Sequence, residues 1–119
     1  IKFKRSIEII YGLRNFVGNA NKFAKEKIFI TINSDSEFTE VIVEDDGNGF
    51  PKDILDKIGE PYIRTKERND DGKPGLGLGI FIGGTLLERN YAKVICRNSI
   101  TRNGAEVIIK WKNKDLTGL

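Results

Sequence analysis

Apolar residues recur over 7–24 at helical spacing. Ile9, Ile10, Leu13, Phe16, Val17, Ala20 and Ala24 fall at i, i+3, i+4 and i+7 separations and form one stripe. Asn15, Asn19 and Lys22 form a polar stripe on nearly the opposite side, with Phe23 at the border between them. The period then changes to two. Lys27–Asn33 and Phe38–Asp45 alternate apolar and polar positions around a polar Ser34-Asp35-Ser36-Glu37, which predicts an antiparallel hairpin. Asp46-Gly47-Asn48-Gly49 breaks the second strand. Pro51 then opens a short helix, about 51–58, in whose first turn its missing donor costs nothing.

Arg64–Gly75 is polar, carries no periodicity and is long for a connection inside a compact domain. Gly77–Arg89 predicts a second long helix. Gly83 and Gly84 lower its propensity, and close packing against the sheet is a reason to keep them. Lys93–Ser99 and Ala105–Lys112 read as two last strands around a turn at Thr101-Arg102-Asn103-Gly104. Such an order predicts an α+β two-layer sandwich with helices on one face of a mixed sheet. It lacks the regular strand–helix alternation of a doubly wound nucleotide fold.

Composition narrows the chemistry. The 119 residues, 39% of them hydrophobic, suit a single domain over 1–119. A net charge of +3 with both signs interspersed, and no dense Lys/Arg stripe, argues against a nucleic-acid partner. Histidine is absent, which excludes His metal ligands, a His base and Ser-His or Cys-His dyads within this chain. Methionine is absent even at position 1, as expected of a fragment from a longer protein. The single cysteine, Cys96, cannot form an internal disulfide and fits a reducing compartment. In Val94-Ile95-Cys96 it reads as a small buried hydrophobe rather than a redox thiol. No apolar run reaches membrane-span length and no signal peptide is visible, so any anchor would belong to the parent protein.

Three segments carry candidate chemistry. Asn15 and Asn19, one turn apart and followed by Lys22, are odd on a solvated helix because Asn is a poor helix former. Amide oxygens suit Mg²⁺ and Lys suits phosphate, although an exposed polar face explains the stripe equally well. Asp45-x-Gly47-x-Gly49 puts a carboxylate at a strand end, where it can accept from an exocyclic amine, beside glycines that let a flat ligand approach the backbone. An ordinary turn would use the same residues. Lys73-Pro74-Gly75-Leu76-Gly77-Leu78-Gly79 is a glycine-rich loop feeding a helix N-terminus, a phosphate-cradling arrangement. It is neither a Walker loop nor a dinucleotide fingerprint, because the spacing differs.

In this order and at these spacings the segments resemble the N box, G1 box and G2 box of the GHKL ATP-binding superfamily. In particular, the chain resembles the catalytic ATP-binding (HATPase_c) domain of bacterial two-component sensor histidine kinases. The N box is Leu13 through Ala24, the G1 box Asp45 through Pro51, and the G2 box Gly75 through Ile80. Glu60 through Lys66 is similar to the F box and the start of an ATP lid. The likeness spans essentially the whole chain. Gly77–Arg89 and Gly104–Val107 look most like redox-responsive kinases of the RegB/PrrB type.

The resemblance implies roles. Asn19 would coordinate Mg²⁺ bridging the phosphates, with Asn15 beside it. Lys22 would contact phosphate and Phe23 would lie against adenine. Asp45 would accept from the adenine amino group, and Gly47 and Gly49 would shape that pocket. Gly75, Gly77 and Gly79 would hold the phosphates, Leu78 would close the pocket, and Arg64 and Lys66 would be lid cations for the terminal phosphates. The activity implied is ATP-dependent transfer of the γ-phosphoryl group to a histidine on a separate dimerisation domain of the same parent. A response regulator would act downstream. The parent would be a membrane-anchored homodimer of the inner membrane, and this fragment its soluble, monomeric cytoplasmic part. Without a histidine it would not autophosphorylate alone.

Two positions depart from the family. Where superfamily ATPases and anti-sigma serine kinases carry a glutamate base, four residues before Asn19, this chain has Asn15, whose amide cannot take a proton at neutral pH. That disfavours the alternatives, an anti-sigma serine kinase or an ATPase. Tyr11 stands where many histidine kinases open the N box with His. A nucleotide-sensing module without catalysis is a third reading, against which the intact motifs argue.

Overall fold

The computed structural model describes residues 6–57 and 76–117. Helix α1 (Ile7–Phe23) starts at Ser6, whose hydroxyl accepts from the Ile9 amide, and stops where Ala24 turns extended. Strands β1 (Ile28–Ser34) and β2 (Phe38–Asp45) follow as a hairpin. Asp35 braces its turn by accepting from the Glu37 and Phe38 amides. Helix α2 (Lys52–Lys57) begins one residue after Pro51, whose carbonyl accepts from Leu55. Helix α3 (Leu76–Arg89), β3 (Lys93–Asn98), β4 (Ala105–Lys112) and a short α4 (Asn113–Thr117) complete the order. The sequence pattern gave no sign of α4.

The sheet runs β1-β2-β4-β3. Every pairing in it is antiparallel, with Ile30 opposite Val43, Val43 opposite Val107, and Cys96 opposite Val107. The expected two-layer arrangement is present, but among the described residues the sheet contains no parallel pair and so is not the mixed sheet expected. Strands β2 and β3 do run the same way across the helical crossover, yet β4 inserts between them, so no parallel ladder forms. The inner face carries Val43, Val107, Ile109 and Trp111, packed under Ile9, Phe16, Ile80 and Leu87 from the helices. Phe16, Leu87 and Ile109 are fully buried.

Glycines set how the two long helices meet. A Cβ on Gly12 would lie 2.6 Å from Leu87 Cγ, and one on Gly83 would lie 3.0 Å from Phe16 Cε2 and 3.1 Å from Asn15 Cβ. Gly83 is therefore kept for contact with α1, not with the sheet, and Gly84 has nothing within 4 Å of its missing Cβ. This close crossing also changes the reading of α1. Its Asn15 and Asn19 edge faces α3 and is half-buried, while Ile10 from the apolar stripe is partly exposed. The helices run antiparallel: Arg89 at the end of α3 pairs with Glu8 at the start of α1 at 3.1 Å, and Asn90 Nδ2 donates to Glu8. The end of α1 and the start of α3 consequently share one end of the molecule with the end of β2 and the start of β4.

Candidate functional site

That shared end holds a cavity of about 300 Å³. Its lining comes from three separated stretches: Phe16, Asn19, Ala20 and Phe23 of α1; Val43, Asp45 and Asn48–Pro51 of β2 and the following loop; and Ala105 and Val107 of β4. The walls are aromatic and aliphatic, with polar groups at few points, as small-molecule sites generally are.

Asp45 is buried at the end of β2. Its Oδ1 accepts from the Gly47 amide at 2.8 Å and the Ala105 amide at 3.2 Å. Its Oδ2 has no partner among the described residues, which leaves one carboxylate oxygen for a ligand. The neighbouring chain approaches so closely that two glycines are obligatory. A Cβ on Gly104 would collide with Asp45, its carbonyl carbon lying 2.5 Å away, and one on Gly47 would collide with the Phe23 carbonyl. Gly49 sits at φ +80°, a left-handed conformation open to glycine.

Asn19 carries the other polar signal. Its Nδ2 is buried without a hydrogen-bond partner, the only such side-chain atom among the described residues. A buried amide left unpaired is costly, and such an orphan calls for a ligand to satisfy it. The amide's two ends exchange by a half-turn, so it can offer either its NH₂ or its oxygen. A Cβ on Gly79, in the first turns of α3, would lie 3.4 Å from Asn19 Oδ1, so that helix begins directly beside the amide. Among the described residues no group of three His, Cys, Asp or Glu side chains could hold a metal. Mg²⁺ binds through few protein ligands, and the Asn19 amide oxygen is of the hard type that could serve as one.

The residues singled out in the sequence divide as follows. Asn19, Phe23, Asp45 and Gly49 line the cavity, and Gly47 and Gly79 adjoin it. Asn15 does not line it; its Nδ2 donates to the Tyr11 carbonyl at 2.9 Å. Lys22 is exposed, its Nζ 5.7 Å from the Phe23 ring centre. Gly77 and Leu78 belong to the first turn of α3. Arg64, Lys66 and Gly75 lie outside the described residues.

Three neighbours carried no sequence signal. Asp46, adjacent to Asp45, takes no part in the cavity. It accepts from the amides of Lys25, Glu26 and Lys27, closing the α1–β1 connection, and these donors hold its carboxyl below the ordinary value. Glu44 is buried under Ser99, which donates to it at 2.8 Å, and Arg102, which stacks over Phe29. Asn98 grips Phe50 through its main chain. A strand's alternation predicts where such residues point, but not what they hold.

The chain is similar to known proteins. Residues 5–115 match the family model described as histidine kinase-, DNA gyrase B-, and HSP90-like ATPase. Sensor histidine kinase RegB of Cereibacter sphaeroides is 36% identical over 100 residues, which are 80% of this chain and 22% of that protein. The chain thus spans about a fifth of that relative's length. The mycobacterial sensor histidine kinase MprB superposes with a TM-score of 0.74 at 18% identity, over 92% of this chain and 74% of that one, a likeness of fold. Full-length ShkA, solved in complex with AMPPNP, gives 0.67 at 25% identity over 87% of this chain and 21% of its own. No helix among the described residues is long and apolar enough to cross a membrane.

Proposed function

Because the chain belongs to the family of histidine kinase-, DNA gyrase B-, and HSP90-like ATPases, we propose that it is the ATP-binding catalytic domain, over 1–119, of a two-component sensor histidine kinase. It binds Mg·ATP and delivers the γ-phosphoryl group to a histidine on a separate dimerisation domain of the parent, a membrane-anchored homodimer. From there the phosphoryl group passes to a response regulator. The observation that carries this reading is the convergence of Asn19, Phe23, Asp45 and Gly49 on one cavity, with the Asn19 amide unsatisfied inside it.

The chemistry is positioning plus charge. Phe23, Val43 and Val107 offer flat apolar walls to adenine. The open oxygen of Asp45 accepts from the exocyclic amine, while Oδ1 stays fixed by two amides. Asn19 would hold Mg²⁺ through its amide oxygen, and the ion would offset phosphate charge. By the family resemblance, Lys22, Gly75, Gly77 and Gly79 would hold the phosphates, Arg64 and Lys66 would act as lid cations for the terminal ones, and Leu78 would close the pocket. Four residues before Asn19, where superfamily ATPases carry a glutamate base, this chain offers none. Asn15 cannot act as one, and its amide is engaged with Tyr11. The attacking imidazole must come from another domain, since this chain has no histidine.

The test mixes the chain with the histidine-bearing domain of its parent and ATP labelled on the γ-phosphate. Acid-labile label on that domain, and none on this chain, is expected. Acid-stable label would point to a serine kinase, and release of phosphate by the chain alone would point to an ATPase. Either result would displace the histidine-kinase reading.

A further inference from the structure

The cavity wall at 48–51 is a loop between β2 and α2, and none of its four residues belongs to a helix or strand. What ties it to the sheet is a side chain at the far end of β3. Asn98 Oδ1 accepts from the Phe50 amide at 2.7 Å, and Asn98 Nδ2 donates to the Phe50 carbonyl at 3.2 Å. One amide side chain thus pairs with both main-chain groups of one residue, as a neighbouring strand would. The grip is tight. A Cβ on Gly49 would lie 2.7 Å from Asn98 Oδ1, so the φ +80° glycine is what lets the loop come this close. Phe50, the residue held, is itself buried in the core and lines the cavity.

We infer that Asn98 is a positioning residue for the nucleotide base: by pinning the main chain of Phe50 it fixes the distance between the 48–51 wall and the Phe23 and Asp45 side of the cavity. The inference rests on the proposed nucleotide site. Asn98 does not line the cavity and touches no ligand; it acts through Phe50. A flat heteroaromatic ring is bound by contacts on both faces, so a wall free to move outward loses one face and must be ordered again on binding. The effect should concern the base and be indifferent to the phosphates, which lie toward α3.

The experiment titrates the 119-residue chain with adenosine and with Mg·ATP by calorimetry. Asn98→Ala should weaken both by about tenfold and by the same factor. Asn98→Asp keeps the acceptor for the Phe50 amide but sets an oxygen against the Phe50 carbonyl. It should also weaken both, and it serves if the alanine variant fails to fold. Asn113→Ala is the control. It removes two comparable bonds, with Thr39 and with the Asp35 carbonyl, at the other end of the sheet. It should lower the urea midpoint and leave both affinities unchanged. Affinities within twofold of the native chain in both Asn98 variants would overturn the inference. So would an equal loss in Asn113→Ala, or a loss confined to ATP. If the native chain binds neither adenosine nor ATP, the nucleotide site itself is wrong and the inference falls with it.

Discussion

Replacing Asp45 by Asn separates the two jobs of one carboxylate. Oδ1 holds the Gly47 and Ala105 amides, and Oδ2 is the oxygen that the proposed site would offer to adenine. An amide can keep the first job. Two charge-assisted bonds become neutral ones, at a cost of about 1 kcal/mol in folding stability. It cannot keep both. One orientation sets its NH₂ against the adenine amine, the other against the two main-chain amides, and either leaves donor facing donor in a largely dry site. That costs roughly 3 kcal/mol of binding, a little over a hundredfold in Kd. Asp45→Ala also strips the acceptor from both amides, and stability should fall by about 2–4 kcal/mol. Urea unfolding followed by the fluorescence of buried Trp111, the single tryptophan, measures the first quantity. Calorimetric titration with Mg·ATP measures the second. Should the Asn variant bind within threefold of the native chain, the carboxylate does not read the base. If it unfolds as early as the Ala variant, the hydrogen-bond account of Asp45 is wrong.

Gly104→Ala places a methyl group against the main chain of Asp45, where no rotation relieves it. It should cost about 1–3 kcal/mol and weaken ATP binding, and an unchanged urea midpoint would contradict the close approach. Asp46 is depressed by the Glu26, Lys27 and Lys25 amides against an opposing effect of burial. The stability it lends is therefore present above its unfolded pKa, about 3.9, and is lost as pH falls through the lower folded value. Asp46→Asn should be less stable than the native chain at neutral pH, with the gap closing below about pH 4. A gap that persists unchanged in acid would count against this. Burial, with Glu88 nearby, pushes the Cys96 thiol up to about 12. At pH 8 only about one molecule in ten thousand carries the thiolate, so a thiol reagent should react far faster in urea than in the native state. A native rate like that of free cysteine would restore the redox reading.

Periodicity exposed most of the fold because each long element buries a face. Strand β4 alternates buried and more exposed positions from Val107 to Lys112, and α1 carries its apolar stripe. Where two elements press on one helix, the stripe misleads. Asn15 and Asn19 looked like a free polar face, yet they lie against α3, because Gly12 and Gly83 allow an approach that composition does not announce. Of the cavity residues, Asn19, Phe23, Asp45 and Gly49 could be picked out because they fall in the N and G1 boxes of the family resemblance. Asn98 and Gly104 could not. A polar residue at a strand end and a glycine in a turn are ordinary in sequence, and their importance comes from distant partners, Phe50 for Asn98 and the Asp45 main chain for Gly104. Short α4 has too few residues to show a period.

The strand order has a consequence for how the chain reaches its native state. β1 with β2 and β3 with β4 are local hairpins, but the central seam joins β2 to β4, pairing Val43 with Val107 across most of the chain. Closing that seam carries the largest loop-entropy penalty of the sheet and sets the pace of assembly. Ala105 and Val107, one wall of the cavity and the second donor to Asp45, arrive only when it closes. Two finished hairpins that have not docked possess no such cavity. Any ligand of this site must then select the fully assembled chain over every partly folded form, and it slows the return to them.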